Sequence, residues 1–385
     1  MRLLATTHVP HWQAGNRVMS SGYFVRDLRI FGDFFDEVHI CAPVSKEPPP
    51  DDITAYSVGY SLTDCPVVRG SDLWSRLRRV WGMPGNVLRI LRAMRGCDAI
   101  HIRGPENMGI FGAIALWFTK KPRCAKYAGQ WEGYEGEPVA NRIQRWLLSR
   151  RGFGGPVTVN AAWEGNRGHI YSVFNSSINR SDLDRTAEIA ASKRLSSPMR
   201  YLFVGRLSDM KALNVLMQAL ARIDLSPRPA LFIVGDGPLR QETERLVSEL
   251  RLDSQVVFHG WLPPAELRKH YEQSHVLVLP SLYGEGWPKV INEAMLYGLP
   301  CISTSISSIP KILGDNERGL LVKPRDVDAL TDAMTRLASD EELYARLSRA
   351  GRKWVENKTR EDLMIWIKKI LEESWGLELK KLDWM

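Results

Sequence analysis

A short apolar run followed by a loop and a helix constrains the fold of this 385-residue chain most strongly. The run from His275 to Leu279 is typical of a buried strand in a parallel sheet. After the loop, Pro288 is expected at the first position of a helix, in which apolar residues recur at helical spacing until Gly298 and Pro300 end it. In an α/β sheet this order presents a helix N-terminus to an anionic ligand. The stretch therefore predicts an α/β fold with an anion-binding loop.

Two carboxylates accompany that loop. Glu285 lies within it, and Glu293 lies eight positions later, inside the helix. Near a phosphate-binding helix end, such carboxylates suit hydrogen bonding to hydroxyls, as the ribose-binding acid of dinucleotide sites does. The alternative interpretation is a solvated loop glutamate beside an ordinary helix glutamate, since two-residue motifs recur by chance.

The whole stretch from Pro280 to Ile302 resembles the signature of retaining glycosyltransferases of family 4, in which seven residues separate two glutamates. The resemblance implies an α/β protein of the GT-B fold, with two Rossmann-like domains whose parallel sheets face each other across a cleft. It also implies that Glu285 contacts the donor sugar and that Glu293 binds the nucleotide ribose. Pro288 stands where the family often has Gly, which removes one N–H donor.

In the family, the amides at the start of this helix hold the diphosphate of the donor. Family members also carry a stretch whose backbone meets the nucleobase, and Val256 to Leu262 resembles it. The donor-binding residues implied by the resemblance in this half of the chain are Glu293, Gly286, Trp287, Pro288, Lys289, Val290 and Trp261.

A second motif follows a predicted strand from Arg200 to Val204. Arg206 and Lys211 lie five positions apart across a strand-to-helix loop, where a guanidinium fork and an ammonium group can clamp a diphosphate. The alternative is two unrelated surface cations. The Gly-Arg…Lys-Gly motif of the family clamps a diphosphate in this way, although Ala212 replaces its final glycine. The predicted catalytic residues are Glu285, Arg206 and Lys211.

The N-terminal part carries weaker signals. A strand from Arg2 to Thr6 precedes a loop, His8 to Ser20, and a Ser-Gly pair ending at Gly22. In the family, paired glycines here let the backbone approach the donor phosphate, so Gly22 is a further donor-binding candidate, with an ordinary turn as the alternative. The histidine that relatives carry near the reacting centre is replaced, and His101 is a substitute candidate or a structural residue.

The length favours two domains, each large enough for its own core. We expect an acceptor-binding domain over residues 1–178 and a nucleotide-sugar-binding domain over residues 179–360. By the family's pattern, the amphipathic tail 361–385 packs back on the first domain. A polar stretch from Asn179 to Pro198 is expected to be a linker, and the D-x-D sequence at Asp182 to Asp184 lies in it, so a metal-binding role is discounted.

Composition indicates the compartment. The five cysteines are odd in number and lack C-x-x-C spacing, which favours a reduced cytosolic setting without a zinc site. The first residues lack the apolar core of a signal peptide. The longest apolar run, Met108 to Phe118, is too short to span a bilayer. We expect a cytoplasmic protein, either free or peripheral on the inner face of the membrane.

The positive charge is concentrated in one half. Residues 1–180 hold 23 Lys and Arg against 15 Asp and Glu, whereas the remaining residues hold 29 of each. Two basic amphipathic segments, Leu73 to Arg95 and Asn141 to Arg151, could lie on an anionic membrane surface. The alternative is surface helices with their apolar faces in the core. No nucleic-acid-binding module is recognisable, so no nucleic-acid partner is expected.

Together these features predict retaining transfer of a sugar from a nucleotide-diphosphate-sugar, a UDP-sugar or GDP-sugar, to a hydroxyl of a glycan, lipid-linked or polysaccharide-precursor acceptor. No cofactor or metal is expected, because Arg206 and Lys211 supply positive charge. A nucleotide-sugar epimerase on the same fold is an alternative, but its acid–base carboxylates are not recognisable. A non-catalytic nucleotide-sugar-binding protein is another, and the intact set of cations and glutamates argues against it.

Overall fold

The computed structural model describes residues 1–49, 53–57, 59–67, 73–134, 136–161, 168–382 and 384, without the side chains of residues 73–81 and 83. The chain forms two compact units. The N-terminal unit comprises Met1–Val173 and Leu363–Met385, and the C-terminal unit comprises Phe174–Asp362. The domain boundaries predicted from the sequence lie after residues 178 and 360.

The N-terminal unit is built on a seven-stranded parallel sheet with helices between its strands. The strands of the unit are β1 (Arg2–Thr6), β2 (Trp12–Ala14), β3 (Arg17–Ser21), β4 (Glu37–Ala42), β5 (Ile53–Ala55), β6 (Tyr60–Asp64), β7 (Ala99–Gly104), β8 (Arg123–Tyr127), β9 (Val157–Val159) and β10 (Ile170–Ser172), of which β2, β3 and β5 form a separate three-stranded sheet. Its helices are α1 (Gly22–Gly32), α2 (Leu73–Arg95), α3 (Asn107–Ala115) and α4 (Val139–Ser149), with 3-10 turns at Leu116–Phe118 and Arg151–Phe153.

The order of the large sheet is β10-β9-β8-β7-β1-β4-β6, and all its neighbours pair in parallel. The strand order therefore reverses between β1 and β7, which makes that junction the switch point of the sheet. The prediction of a loop from His8 to Ser20 is wrong, because β2 and β3 form an antiparallel hairpin there and β5 joins it. The hairpin pairs the polar backbone that an open loop would leave to water.

The C-terminal unit has a six-stranded parallel sheet. Its strands are β11 (Arg200–Val204), β12 (Ala230–Val234), β13 (Val256–Gly260), β14 (Val276–Leu279), β15 (Cys301–Thr304) and β16 (Gly319–Val322). Its helices are α5 (Arg180–Ser192), α6 (Leu213–Arg222), α7 (Arg240–Glu249), α8 (Pro264–Gln273), α9 (Lys289–Leu296), α10 (Ile309–Leu313), α11 (Val327–Ser339), α12 (Glu341–Val355) and the start of α13 (Arg360–Trp375). A 3-10 turn lies at Asp209–Lys211.

The strand order β13-β12-β11-β14-β15-β16 is the Rossmann order, with its switch point between β11 and β14. The central strands are buried on both faces, which explains their continuous apolar sequences. Leu202 pairs with Leu277, and both side chains are inaccessible to water. The predicted α/β class is confirmed in both units.

The C-terminal tail belongs to the N-terminal unit. The indole N–H of Trp375 donates to the Arg123 carbonyl at 3.0 Å, and the Lys380 amide donates to the Phe34 carbonyl at 3.3 Å. Leu379 is buried. These contacts pack the tail against parts of the N-terminal unit that lie more than 200 positions earlier in the chain. Among the described residues, no helix is long and apolar enough to cross a membrane.

The predicted linker from Asn179 to Pro198 is wrong, because α5 occupies most of it. The Asp182 carboxylate accepts a hydrogen bond from the Asn179 amide at 2.9 Å and forms an ion pair with Arg185 at 2.6 Å. A carboxylate in this position satisfies an N–H that the first turn of the helix leaves unpaired. The first aspartate of the D-x-D sequence therefore caps a helix.

Replacing Asp182 should thus change stability. We expect Asp182→Ala to cost about 1 kcal/mol of unfolding free energy, because the first turn of α5 loses its cap. Asp184→Ala is the matched control: its side chain is exposed, so its effect should stay within about 0.5 kcal/mol. Denaturant unfolding of both variants, with and without Mn²⁺, measures this. A Mn²⁺-dependent stabilisation that both substitutions abolish would contradict the capping role.

Candidate active site

The two predicted loops meet at the switch point of the C-terminal sheet. β11 and β14 are neighbours, so their carboxyl ends place the loop containing Arg206 beside the loop containing Glu285. The loops touch directly, because the Leu282 amide donates to the Met210 carbonyl at 2.8 Å. The carboxyl ends at a switch point form the crevice in which open α/β sheets bind ligands.

Lys211 and Glu285 form an ion pair within this crevice, and both side chains are largely buried. The Ser281 hydroxyl donates to the same Glu285 carboxylate at 2.6 Å. Arg206 lies on the loop after β11, is exposed, and forms no ion pair with any described residue. The structure thus brings two of the three predicted catalytic residues into contact and leaves the third facing water on the same loop.

Ala212 occupies the position where relatives carry glycine, and its backbone explains that preference. It is the N-cap of α6 and adopts a left-handed conformation with φ 48° and ψ 47°. A residue with a Cβ atom pays roughly 1–2 kcal/mol for this conformation, whereas glycine does not. The departure from the family motif therefore preserves the geometry of the loop at a cost in strain.

The turn after β12 supports the loop after β11. A Cβ atom at Gly235 would lie 2.0 Å from the Gly205 carbonyl oxygen, and one at Gly237 would lie 2.3 Å from the Leu207 carbonyl oxygen. Only glycine permits this approach of two backbones. This role was not predicted, although the paired glycines of Gly-Asp-Gly-Pro were a usable signal in the sequence.

Helix α9 begins at Lys289, with Pro288 as its N-cap at φ −70° and ψ 102°. The prediction that Pro288 takes the first helical position is therefore wrong by one residue. Gly286 is buried, and its carbonyl accepts a hydrogen bond from the Ser308 hydroxyl. Gly298 has φ +74° and ends the helix as predicted. Val290 is partly buried against the core of the unit.

Glu293 is held by two hydroxyl groups. The Tyr271 hydroxyl donates to it at 2.8 Å, and the Ser177 hydroxyl donates to its other oxygen. Burial, reinforced by the neighbouring carboxylate, raises the pKa of Tyr271 well above its ordinary value. Tyr271 therefore remains a donor and orients Glu293. Neither partner was predicted, because no local motif marks them.

The side chain of Trp287 is part of an aromatic cluster rather than exposed in the crevice. Its ring stacks on Trp354 at 6.1 Å and lies 6.4 Å from Phe174, while the Lys358 ammonium lies 5.1 Å from the Trp354 ring. This packing anchors the loop that leads into α9. The predicted contribution of Trp287 to a ligand is then its backbone amide.

The remaining candidates belong to other elements of the two units. Trp261 is exposed just after β13, and Gly22 is the buried first residue of α1, in the N-terminal unit. His101 is buried, with its ring centre 4.1 Å from that of Phe31. Burial lowers the pKa of His101 to about 3, so it is a neutral core residue rather than a substitute for the histidine of relatives.

The described residues include no group of three or more His, Cys, Asp and Glu side chains that could hold a metal ion. Metal-independence nevertheless stays a prediction, because cations can also be held through a bound diphosphate.

Comparisons with known proteins agree with this geometry. Residues 184–354 match the family model described as Glycosyl transferases group 1. The 2-deoxystreptamine glucosyltransferase of Streptomyces kanamyceticus is 30% identical over 57% of this chain and 60% of its own length. A GDP-mannose-dependent phosphatidylinositol monomannoside mannosyltransferase of Mycolicibacterium smegmatis is 32% identical over 39% of this chain and 41% of its own length. The chain thus spans less than two thirds of either relative.

Solved structures match over nearly the whole chain. Anabaena HepE, solved with UDP and glucose, has a TM-score of 0.70 at 15% identity and covers 96% of this chain and 99% of its own. The sucrose-phosphate synthase of Thermosynechococcus elongatus has a TM-score of 0.71 at 19% identity, covering 97% and 99%. The predicted GT-B fold is confirmed by these similarities.

The contact between Tyr271 and Glu293 generates a test. Tyr271→Phe removes the hydroxyl and should cost about 1 kcal/mol of unfolding free energy. Nucleotide affinity should also fall, about tenfold, because Glu293 loses a positioning donor. Tyr201→Phe is the matched control, since this buried hydroxyl donates at 2.8 Å to the Met334 carbonyl. It should lose similar stability without losing affinity in calorimetric titrations with UDP and GDP. Equal affinity losses in both variants would refute the positioning role.

Proposed function

Because residues 184–354 match the family model of the group 1 glycosyl transferases, we propose that this chain is a retaining glycosyltransferase of family 4. It transfers a sugar from a nucleotide-diphosphate-sugar to a hydroxyl group of a glycan, lipid-linked or polysaccharide-precursor acceptor. The observation that carries the proposal is the contact of Lys211 with Glu285 at the switch point of the C-terminal sheet, beside the oriented carboxylate of Glu293.

The chemical demand of such a transfer is stabilisation of a departing diphosphate. Arg206 and Lys211 supply two cations on one loop, and the N-terminus of α9 adds the positive end of a helix dipole. Without a donor, Glu285 neutralises the Lys211 ammonium group. A bound diphosphate gives that ammonium a second anionic partner, while Glu285 turns its other oxygen toward the sugar.

Three finer features complete the proposal. The sugar keeps its anomeric configuration, and the departing phosphate takes the proton of the acceptor hydroxyl, since no general base stands out beside Glu285. The reaction needs no metal, because the two cations balance the developing charge. The donor is a UDP-sugar or GDP-sugar: the mycobacterial relative is named for GDP-mannose, and HepE was solved with UDP.

An exposed aromatic face on the N-terminal unit supports a membrane-surface location. We define the aromatic face as five exposed side chains on α4 and on the turn after α3: Trp117, Phe118, Val139, Ile143 and Trp146. Their exposed fractions run from 47% for Ile143 to 72% for Trp117. Trp117, Trp146 and Arg150 line one groove, and the Arg150 guanidinium lies 4.3 Å from the Trp146 ring.

The orientation of α4 tests the alternative interpretation of the basic segments, in which their apolar faces lie in the core. Its buried side chains are Gln144 and Leu148, whereas its apolar stripe of Val139, Ile143 and Trp146 faces water. Arg142 on this helix and Arg151 just after it are exposed. Exposed apolar rings bordered by cations suit the surface of an anionic bilayer. In α2, the side chains of residues 73–81 and 83 lie outside the described part of the chain.

Arg206 offers the safest test of the donor site, because it is exposed and its loss should not disturb folding. A nucleotide at a hundredfold excess over its Kd adds about 2.7 kcal/mol to the free energy of unfolding. This gain raises the melting temperature. We expect UDP, GDP or one of their sugars to do so, and Arg206→Ala to weaken the shift. Arg228→Ala, an exposed cation just before β12 at the opposite edge of the sheet, is the matched control.

Measuring the rate of sugar transfer extends that test. In a transfer assay, Arg206→Ala should lower kcat about 10²–10³-fold, because it removes a charge that stabilises the transition state. No thermal shift with any nucleotide, or equal losses in Arg206→Ala and Arg228→Ala, would refute the proposed site. Release of a free sugar intermediate without any acceptor would favour an epimerase. Donor binding without turnover across an acceptor screen would favour a binding protein.

The aromatic face predicts binding to lipid vesicles. Trp117→Ser and Trp146→Ser should each lower the bound fraction about tenfold, because each removes an aromatic ring from the bilayer interface. Co-sedimentation with phosphatidylcholine vesicles, with and without phosphatidylglycerol, measures this. Trp261→Ser is the control, an equally exposed tryptophan of the C-terminal unit. Binding that is insensitive to both face substitutions, or to phosphatidylglycerol, would exclude this surface.

A further inference from the structure

The N-terminal sheet has its own switch point, between β1 and β7, and charged residues collect there. Thr7 and His8 directly follow β1, while Arg103 lies near the end of β7 and Glu106 just beyond it. The carboxyl ends of neighbouring parallel strands at a switch point form a ligand-binding crevice. None of these residues carries a role in the donor chemistry above.

These side chains form a chain of alternating charges. Lys126 contacts Asp27 at 2.6 Å, and Arg103 contacts the other Asp27 oxygen at 3.3 Å. Arg103 also contacts Glu106 at 3.2 Å, and Glu106 contacts Nδ1 of His8 at 2.8 Å. This series of ion pairs begins in the buried interior at Lys126 and ends at His8.

Asp27, Lys126 and Glu106 are buried and Arg103 is largely buried, whereas the His8 side chain is 52% exposed. Burial by itself would lower the pKa of Arg103, but the Asp27 and Glu106 carboxylates raise it above its ordinary value. The four inner groups are two cations and two carboxylates in direct contact, so their formal charges sum to zero. Burying four charges costs desolvation energy that an apolar core would avoid, and such arrangements concentrate at functional sites.

The network fixes His8 in one orientation. The Glu106 carboxylate accepts from the His8 backbone amide at 2.6 Å and from the Thr7 hydroxyl at 3.0 Å, in addition to its contact with the imidazole. Glu106 is itself fixed, because its amide donates to the buried Gln144 side chain at 2.9 Å. A carboxylate that holds Nδ1 sets the tautomer and the orientation of the ring.

We propose that His8, positioned by Glu106, binds the acceptor hydroxyl of a neutral carbohydrate at the switch point of the N-terminal sheet. The proposal rests on the proposed glycosyltransferase function, since it assigns the acceptor of that reaction. His8 contacts the hydroxyl through its imidazole, and Glu106 is the positioning residue. Arg103, itself paired with Asp27, contacts Glu106 and holds it in place.

The charges decide between a hydroxyl and a phosphate as the group recognised. Two cations of this switch point, Arg103 and Lys126, are largely buried, and each already contacts a carboxylate. The inner network therefore offers no net positive charge to an anion. An imidazole can both donate and accept a hydrogen bond, which matches a hydroxyl group.

Binding can be tested without knowledge of the natural acceptor. The full chain carrying ¹³C-labelled histidine is titrated with octyl glycosides of glucose, galactose, mannose and N-acetylglucosamine, with and without UDP or GDP. We expect the imidazole signal of His8, assigned from its absence in His8→Gln, to shift saturably with at least one glycoside. His39 and His169, partly buried in the same unit, are internal controls whose signals should stay in place.

Two substitutions separate the two ring nitrogens. Asparagine places its amide near the position of Nδ1 and keeps the Glu106 contact, whereas glutamine reaches the position of Nε2. For the glycoside that binds, His8→Asn should raise the acceptor KM about tenfold, because one hydrogen bond is lost. His8→Gln should keep a KM closer to that of the parent chain, and the KM for the donor should change in neither variant.

Several outcomes would overturn the proposal. One is a His8 signal that no glycoside moves. Another is a signal that moves with inorganic phosphate and not with the glycosides. A third is an equal rise of acceptor KM in both His8 variants, which would indicate a structural role. Failure of the donor site is a separate observation, because it appears as the absence of a thermal shift with UDP and GDP, in which His8 takes no part.

Discussion

The ion pair between Lys211 and Glu285 depends on the strand order of the C-terminal sheet. The two residues are 74 positions apart, and they meet because β11 and β14 are neighbours at the point where the order reverses. A largely buried ammonium group and carboxylate tolerate each other only as a pair, since either alone would be an uncompensated charge. Their contact ties the loop after β11 to the start of α9, and the glycines after β12 support it from the other side.

The same constraint operates in the N-terminal unit with different residues. There the switch point lies between β1 and β7, and the charges continue from Lys126 through Asp27, Arg103 and Glu106 to His8. Each unit thus holds polar side chains at the one edge where a parallel sheet opens its loops. In both, the inner charges are paired and one polar group faces water: Arg206 in one unit and His8 in the other.

Residues of the same type differ in burial between positions of this structure. His101 lies inside the core and is neutral, whereas His8 is half exposed and held by a carboxylate. Trp287 is fixed against Trp354, whereas Trp146 faces water beside Arg150. An apolar or aromatic side chain contributes most to stability when it is removed from water, so exposed rings on α4 indicate a surface available for another partner.

Local patterns in the sequence determined the strand before Glu285, the end of its helix at Gly298 and the α/β class, because apolar periodicity and glycine conformation act over a few residues. They misplaced the start of α9 by one residue and missed α5 and the β2–β3 hairpin, whose local signals were weaker. The partners of Glu293 and of His8 were decided only by the tertiary structure. Tyr271, Ser177 and Glu106 reach them from distant parts of the chain, and such contacts follow from strand order, which local spacing does not encode.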